Sequence, residues 1–139
     1  ETDRQIFAKM LYDDGKIASV EYQIYLKWFD EFKRDFPEEN VIYVKTTPNI
    51  SAERVVKRGR EGEVIPLEYL QKCHEYHEEW IKTIPEENLC VIDGDIDTEL
   101  HPNAIVEWKT QVDSFISLRK KASHLDMDYN VQYHYGIGC

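Results

Sequence analysis

Three arginines, Arg54, Arg58 and Arg60, crowd into one short stretch of a chain whose formal net charge is −10. Residues four apart share a helix face, so Arg54 and Arg58 should project together, and Gly59 and Gly62 would let the backbone turn beyond them. Guanidinium groups present planar pairs of donors that match phosphate oxygens. The pattern predicts a mobile basic segment that closes over a phosphate-bearing ligand and stabilises phosphoryl transfer.

Simpler interpretations of the charged clusters stand beside this one. The arginines could form a solvated helix face paired with the nearby acidic residues Glu53, Glu61 and Glu63. His74 and His77 are three residues apart, whereas a zinc-protease helix needs histidines four apart, so we predict no metal site there. The acidic run 93–97 lacks the glycine and the glutamate that a calcium loop requires further on, and it predicts an acidic turn after a strand.

Alternating strands and helices must position the arginines. The apolar runs 41–44 and 89–92 are bounded by turn residues and predict two buried parallel strands. Two helices are expected between them, one over 48–58 with Thr47 as N-cap and one over 66–82 with an apolar stripe. A strand, helices and a further strand make a right-handed crossover, which is typical of an α/β fold.

Three further helices flank this unit. A short helix should end near Gly15, and a second should cover about 19–36 with apolar residues on more than one face. Burial on two sides is therefore expected for the second helix, and one side could be a dimer contact. Pro102 should open a last helix, whose apolar repeat runs to 116. The tail 117–139 has apolar residues alternating over 129–137, which predicts a strand there.

Composition narrows the classes of function. The chain has 139 residues, 42% of them hydrophobic, which suits one incomplete globular domain. A pI near 4.9 argues against nucleic acid or an anionic membrane surface as partner. No apolar run is long enough to span a membrane, and the start does not resemble a signal peptide. Cys73, Cys90 and Cys139 form no CxxC pair, so we expect a reducing, cytoplasmic location and no Cys-His catalysis.

Several motifs of the sequence occur together: the arginine segment, Ile65 to Leu70 (IPLEYL), His77 to Trp80 (HEEW), Thr2 to Lys9 (TDRQIFAK), and Glu21 to Tyr25 (EYQIY) with Trp28. They resemble the deoxynucleoside kinase family, in particular its deoxycytidine and deoxyguanosine kinase branch. The likeness covers roughly residues 1–116. It implies the C-terminal part of a P-loop kinase three-layer α/β fold, with parallel strands flanked by helices. It also implies transfer of the γ-phosphoryl group of ATP to a deoxynucleoside 5′-hydroxyl with Mg²⁺. The apolar faces of the second helix lead us to expect a homodimer.

The resemblance also implies roles for particular residues. Arg54, Arg58 and Arg60 correspond to the catalytic arginines of the family's lid, and Glu63 to a lid carboxylate that contacts the sugar 3′-hydroxyl. The lid is one residue shorter here before Ile65, so Glu61 is the alternative. Two more pairs of residues match the family's sites: Asp3 and Phe7 at the base pocket, and Asp93 and Asp95 in the turn beside the adenine of ATP.

Asp3 bears on the choice of substrate. An ionised carboxylate only accepts hydrogen bonds, so it favours bases that carry an exocyclic amino group. Deoxycytidine and purine deoxynucleosides are therefore expected over thymidine. In the alternative interpretation, Asp3 only caps the helix that carries Phe7.

The family's phosphate-binding motif does not occur in these residues. No GxxxxGK[ST] sequence is present, and neither is the catalytic carboxylate that follows the family's first strand. We therefore expect an N-terminally incomplete kinase domain that is inactive alone. The alternatives are a non-catalytic remnant with a dimerising or regulatory role, and a nucleoside monophosphate kinase, which the IPLEYL and HEEW runs fit poorly.

Overall fold

A computed structural model describes residues 1–35 and 39–132 of the chain, with side chains described as far as residue 120. It begins with a π-helix, Asp3–Ala8, which continues into α1, Lys9–Asp13. The elements that follow are α2 (Ser19–Lys33), β1 (Val41–Lys45), α3 (Pro48–Arg58), α4 (Leu67–Ile81), a short 3-10 helix (Glu86–Asn88), β2 (Leu89–Asp93) and α5 (Asn103–Gln132). The predicted α/β order of these elements is confirmed.

The two strands pair in parallel, with Val41 opposite Leu89 and Lys45 opposite Asp93. Cys90 and Ile92 of β2 are buried, whereas Val44 of β1 is exposed. The prediction of parallel strands is confirmed, but the expectation that both are fully buried is wrong. Ile42 and Val44 share a face with their register partners Cys90 and Ile92, so in the described residues that face is covered over β2 but not over β1.

The main apolar cluster joins the N-terminal helix to α4. Ile6, Met10 and Trp80 are buried together, and residues from β1, α4 and the segment after it pack around them: Val41, Cys73, Tyr76, Ile81 and Ile84. Ile6 and Met10 are four residues apart, so both side chains face α4. The cluster therefore fixes the N-terminal helix, which carries Asp3 and Phe7, against α4.

Helix α2 packs on one side only. Its inner side contacts the N-terminal segment through the stacked rings of Tyr12 and Tyr22, whose centroids are 4.4 Å apart. No residue of α2 is buried. The expected burial on two sides is thus wrong for the described chain, because the second apolar face meets no other element. That face carries residues at successive spacings of four: Val20, Ile24, Trp28 and Phe32.

Helix α5 extends further than its apolar repeat indicated. It continues to Gln132, so residues 129–132 of the predicted strand 129–137 are helical, and that prediction is wrong for them. No glycine or proline occurs between Asn103 and Gln132 to end the helix. Within the described residues, Tyr129 and Val131 have no neighbouring strand to pair with. The remainder of the predicted strand lies outside the described residues. In the described residues, no helix is long and apolar enough to cross a membrane.

Candidate active site

The basic segment after α3 is folded by two glycines. Gly59 ends α3 with a left-handed backbone, φ 59°, and Gly62 also has a positive φ of 77°. Between them the chain reverses and brings Glu63 back to Arg58, whose Nη2 and Nε donate to Glu63 Oε2 at 2.6 and 3.2 Å. We call residues 58–65 the lid. Two of its candidate residues, Arg58 and Glu63, are therefore brought together.

Arg60 lies at the exposed tip of the lid. Its backbone carbonyl accepts the Glu63 N–H at 3.2 Å, whereas its side chain has no ion pair with any residue that the structure describes. Of the arginine–glutamate pairs expected for a solvated helix face, only Arg58 with Glu63 is formed among the described residues. Glu61 is exposed beside them.

Arg54 has different partners, although it shares a helix with Arg58. Its Nη1 donates to the Gly94 carbonyl at 2.6 Å, and Nη2 donates to the carbonyls of Ile96 at 3.2 Å and Asp95 at 3.5 Å. A planar guanidinium suits such a row of acceptors, because its donors are fixed in a fork. Arg54 therefore anchors α3 to the turn after β2 instead of projecting with Arg58.

The acidic side chains of that turn are used to build it. Asp93 Oδ1 accepts the Asp95 N–H at 3.0 Å, and Asp95 Oδ1 accepts the Thr47 N–H at 2.7 Å, at the start of α3. Asp97 Oδ1 accepts the Glu99 N–H at 2.8 Å, and this bond holds the pKa of Asp97 below its ordinary value. The prediction of an acidic turn after the strand is confirmed. Thr47 occupies the N-cap position of α3 as predicted, but its side chain makes no capping hydrogen bond.

Gly94 allows the turn to lie against β1. Its N–H donates to the Lys45 carbonyl at 2.7 Å. A Cβ at this position would lie 2.3 Å from Thr46 Oγ1 and 2.8 Å from the Lys45 carbonyl oxygen. Beside the turn is a cleft of about 540 Å³, lined by residues of α3, the turn and α5 that include Ile50, Arg54, Asp97 and Trp108. Its volume falls within the range of small-ligand sites.

The second group of candidate residues lies on the N-terminal helix. Asp3 Oδ2 accepts the Tyr25 hydroxyl at 2.6 Å, and burial together with this bond raises the pKa of Tyr25 to about 12. Thr2 holds the N-cap position of this helix and Asp3 lies in its first turn, so the capping alternative is not observed. Phe7 is 41% exposed, and its ring meets His77 edge to face with 6.5 Å between centroids.

Sequence reasoning assigned no role at the site to the residues behind Phe7. His77 stacks on Tyr43 of β1, and the Tyr43 hydroxyl donates to Glu78 Oε1 at 3.0 Å. Lys45 Nζ lies 2.7 Å from Glu78 Oε2. Burial alone would raise the pKa of Glu78, but the bonds from Lys45 and Tyr43 outweigh it and hold that pKa below its ordinary value. No local signal identifies these contacts, because they join residues more than thirty positions apart.

Comparison with known proteins gives the class to which this arrangement belongs. The chain belongs to the deoxynucleoside kinase family, whose model matches residues 1–117. It is 43% identical over 81 residues to human "Thymidine kinase 2, mitochondrial", a match that covers 56% of this chain and 31% of that protein. The predicted family and its α/β kinase fold are confirmed.

Two deoxycytidine kinases are similar to a comparable degree. Human "Deoxycytidine kinase" is 39% identical over 85 residues, covering 58% of this chain and 33% of that protein. "Deoxycytidine kinase 2" of Gallus gallus is 40% identical over 85 residues, covering 58% of this chain and 32% of that protein. The matches thus span about a third of each relative's length, and relatives named for thymidine and for deoxycytidine both occur.

Proposed function

We propose that the protein is a deoxynucleoside kinase that uses ATP. The deoxynucleoside 5′-oxygen attacks the γ-phosphorus, the bond to the β–γ bridging oxygen breaks, and the hydroxyl proton is released, giving a deoxynucleoside monophosphate and ADP. The observation that supports this most is the lid, in which two glycine turns set Arg58 against Glu63 inside the segment that matches the family.

The lid residues divide the work in this proposal. Arg58 and Arg60 neutralise the charge that develops on the transferred phosphoryl group. Glu63 accepts a hydrogen bond from the sugar 3′-hydroxyl. Arg58 occupies only Glu63 Oε2, so Oε1 is available to that hydroxyl without breaking the ion pair.

The donor side of the proposal rests on the turn after β2. Arg54 and Asp95 fix this turn to α3 from both sides, so the backbone of 93–97 is a rigid edge against which adenine can lie. The cleft next to it provides the space. Among the residues that the structure describes, no group of three or more His, Cys, Asp or Glu side chains could hold a metal ion. None of these residues is therefore proposed as a Mg²⁺ ligand.

The proposed substrate is deoxycytidine or a purine deoxynucleoside in preference to thymidine. Phe7 stacks on the base, and the Asp3 carboxylate faces its amino edge, either directly or through a cationic partner. Tyr25 occupies one oxygen of Asp3, and the other is available to accept a bond.

The test of this function is an assay of the protein expressed from its full natural coding region. ATP, Mg²⁺ and each of four deoxynucleosides are supplied, and ADP and monophosphate are quantified. We expect phosphorylation of deoxycytidine or a purine deoxynucleoside. Absence of product with all four substrates contradicts the proposal and favours the non-catalytic alternative.

A dideoxynucleoside identifies the lid carboxylate in the same assay. If Glu63 contacts the 3′-hydroxyl, Glu63→Ala should lower kcat/KM for deoxycytidine by about tenfold but have little effect on dideoxycytidine, which lacks that hydroxyl. Glu61→Ala is the matched control and should leave both substrates unchanged. If Glu61→Ala lowers kcat/KM for deoxycytidine and Glu63→Ala does not, the contact with the 3′-hydroxyl belongs to Glu61.

The proposed assembly is a homodimer through the open face of α2. Trp28 is 64% exposed and packs on Phe32, which is 62% exposed, with 5.7 Å between ring centroids. Apolar rings that are contiguous and exposed in this way are typical of a protein contact. Light scattering should give twice the mass of the chain, and Trp28→Glu should halve that mass, whereas Glu31→Gln should not. A monomer at all concentrations contradicts the assembly.

The proposed location is a reducing compartment, with the cytoplasm preferred. Cys73 and Cys90 are both free thiols, and Cys90 is buried in β2. Burial without a disulfide is common for cysteines in reducing compartments. A fluorescent fusion of the full coding region should distribute through the cytoplasm, and accumulation in an organelle would contradict this location.

A further inference from the structure

Three rings from separate elements stand in a row beside the proposed base site. Tyr43 of β1 stacks on His77 of α4 with 6.1 Å between centroids and 8° between ring planes. His77 in turn meets Phe7 with 6.5 Å between centroids and 85° between planes. Both separations lie in the range where aromatic pairs attract. We call these three residues the aromatic column.

The inner two members of the column are tied in place. His77 Nδ1 lies 2.7 Å from the Cys73 carbonyl oxygen of its own helix. A carbonyl oxygen only accepts hydrogen bonds, so Nδ1 carries the hydrogen and donates it, which fixes the orientation of the imidazole. Tyr43 is held by its bond to Glu78. Phe7 is thus the one member of the column with an exposed ring and no hydrogen bond of its own.

A phenylalanine ring turns easily about its last torsion, because that torsion has broad minima. The edge-to-face contact with His77 restricts it, and Ile6 beside it is fully buried and fixes the backbone. A ring already ordered in the orientation that receives a ligand loses less entropy when the ligand binds. An exposed ring that was free to turn would lose more.

We infer that His77 is a positioning residue that fixes Phe7 for the base of the deoxynucleoside. This inference rests on the proposed function, in which Phe7 stacks on the base. It assigns to His77 a role in substrate affinity but none in transfer of the phosphoryl group. The imidazole acts by its ring surface, so another aromatic ring should replace it and a polar chain should not.

The test compares four variants of the full-length protein. His77→Ala and His77→Gln should raise KM for the deoxynucleoside by about three- to tenfold, with kcat and the KM for ATP within twofold of the wild type. His77→Phe should return KM to within twofold. The matched control is His74→Ala, one turn earlier on α4, which should leave KM unchanged. A second readout is the NMR signal of the Phe7 ring, assigned with Phe7→Leu, which should move in His77→Ala and His77→Gln.

The outcomes separate this inference from the proposed function. A wild-type protein that phosphorylates deoxynucleosides, combined with an unchanged KM in His77→Ala, overturns the inference alone. The inference would also be overturned if KM rose in His77→Ala and His77→Phe but stayed at the wild-type value in His77→Gln. A hydrogen bond from the side chain, and not its ring, would then be responsible. A wild-type protein that phosphorylates no deoxynucleoside contradicts the proposed function and this inference with it.

Discussion

The lid and the base side of the candidate site are held by different kinds of interaction. The base side is the N-terminal helix that carries Asp3 and Phe7, together with the part of α4 on which it packs. The lid depends on two glycine turns and on the ion pair of Arg58 and Glu63, whose side chains are partly exposed. Exposed ion pairs contribute about 0–1 kcal/mol. The base side is carried by Ile6, Met10 and Trp80, and each large apolar side chain that is fully buried contributes roughly 1.5–3 kcal/mol.

Under the proposed function, this difference would separate a part that rearranges easily from a part that is set before the ligand arrives. A lid held by about 1 kcal/mol would open and close with little cost, as the proposed phosphoryl transfer requires. A buried platform keeps Phe7 in one place throughout. Substitutions in the lid should therefore change kcat, and substitutions on the base side should change substrate affinity and preference.

The largest effect is expected in the lid. Arg58→Ala and Arg60→Ala in the full-length protein should each lower kcat by about 10² or more, because the charge they neutralise is greatest during transfer. The KM for the deoxynucleoside should change by no more than about threefold. Steady-state kinetics at saturating ATP provide the measurement.

An arginine with a similar exposed pair serves as the control. Arg34 of the segment after α2 bonds Glu31 at 2.6 Å, so Arg34→Ala removes a comparable ion pair far along the chain from the lid. It should leave kcat unchanged. Full activity in both lid variants would show that the arginines form a solvated face, and would remove the contrast with the base side.

The turn 93–97 after β2, which is bonded to the start of α3 and to Arg54, should be rigid, in contrast to the lid that follows α3. Gly94→Ala places a Cβ against Thr46, Lys45 and Val44, and the nearest of these contacts, to Thr46 Oγ1, is 2.3 Å. We expect the free energy of unfolding to fall by about 1–3 kcal/mol, the usual cost of overpacking. Urea denaturation of the chain measures it. Arg54→Ala, which weakens the same turn without adding an atom, should cost about 1 kcal/mol.

If Gly94→Ala is as stable as the wild type, the backbone of the turn shifts at little cost to accommodate the added Cβ. The turn would then be as flexible as the lid. The distinction between a fixed donor edge and a moving lid would be lost.

A smaller effect, on preference alone, is expected from Asp3. Asp3→Ala should lower the ratio of kcat/KM for deoxycytidine to that for thymidine by about fivefold, because the carboxylate can no longer accept a bond from the amino edge. Tyr25→Phe removes the hydroxyl bonded to Asp3 but keeps the carboxylate, so it should leave that ratio unchanged. If both variants shift the ratio equally, Asp3 acts through its contact with α2 and does not read the base.

Sequence reasoning succeeded where the determining signal is local. The strands and helices follow from apolar periodicity. Arg58 and Glu63 are only five positions apart, and Gly59 and Gly62 between them indicate the turn that brings them together. It failed where the environment decides. Alternation over 129–137 indicated a strand, but a strand requires a neighbour and a helix does not.

The contacts of the site show the same division. Arg54 and Arg58 share a helix and a spacing that predicts one function, yet Arg54 bonds carbonyls forty or more positions away. Tyr25 on Asp3 and His77 on Tyr43 are likewise long-range contacts. Such pairings depend on how the N-terminal helix, β1 and α4 pack, and no short sequence pattern specifies that packing.

The smallest effect concerns Glu78, which supports the base side through Tyr43. Its pKa is lowered in the folded protein, so between the folded and the ordinary value the unfolded chain binds more protons and stability rises with pH. The contribution of this carboxylate is therefore complete above about pH 5 and is lost as pH falls below about 4.

Glu78→Gln keeps an acceptor for Tyr43 but removes the ion pair with Lys45. Because the pair is partly exposed, the variant should be less stable than the wild type by under about 1 kcal/mol at pH 7. Urea midpoints at pH 7, 5 and 3 should show this difference shrinking toward zero at the lowest pH. Glu75→Gln, on an exposed position of the same helix, should show no such trend. A difference in Glu78→Gln that stays constant with pH would show that the carboxylate charge does not hold the base side, leaving burial as its sole support.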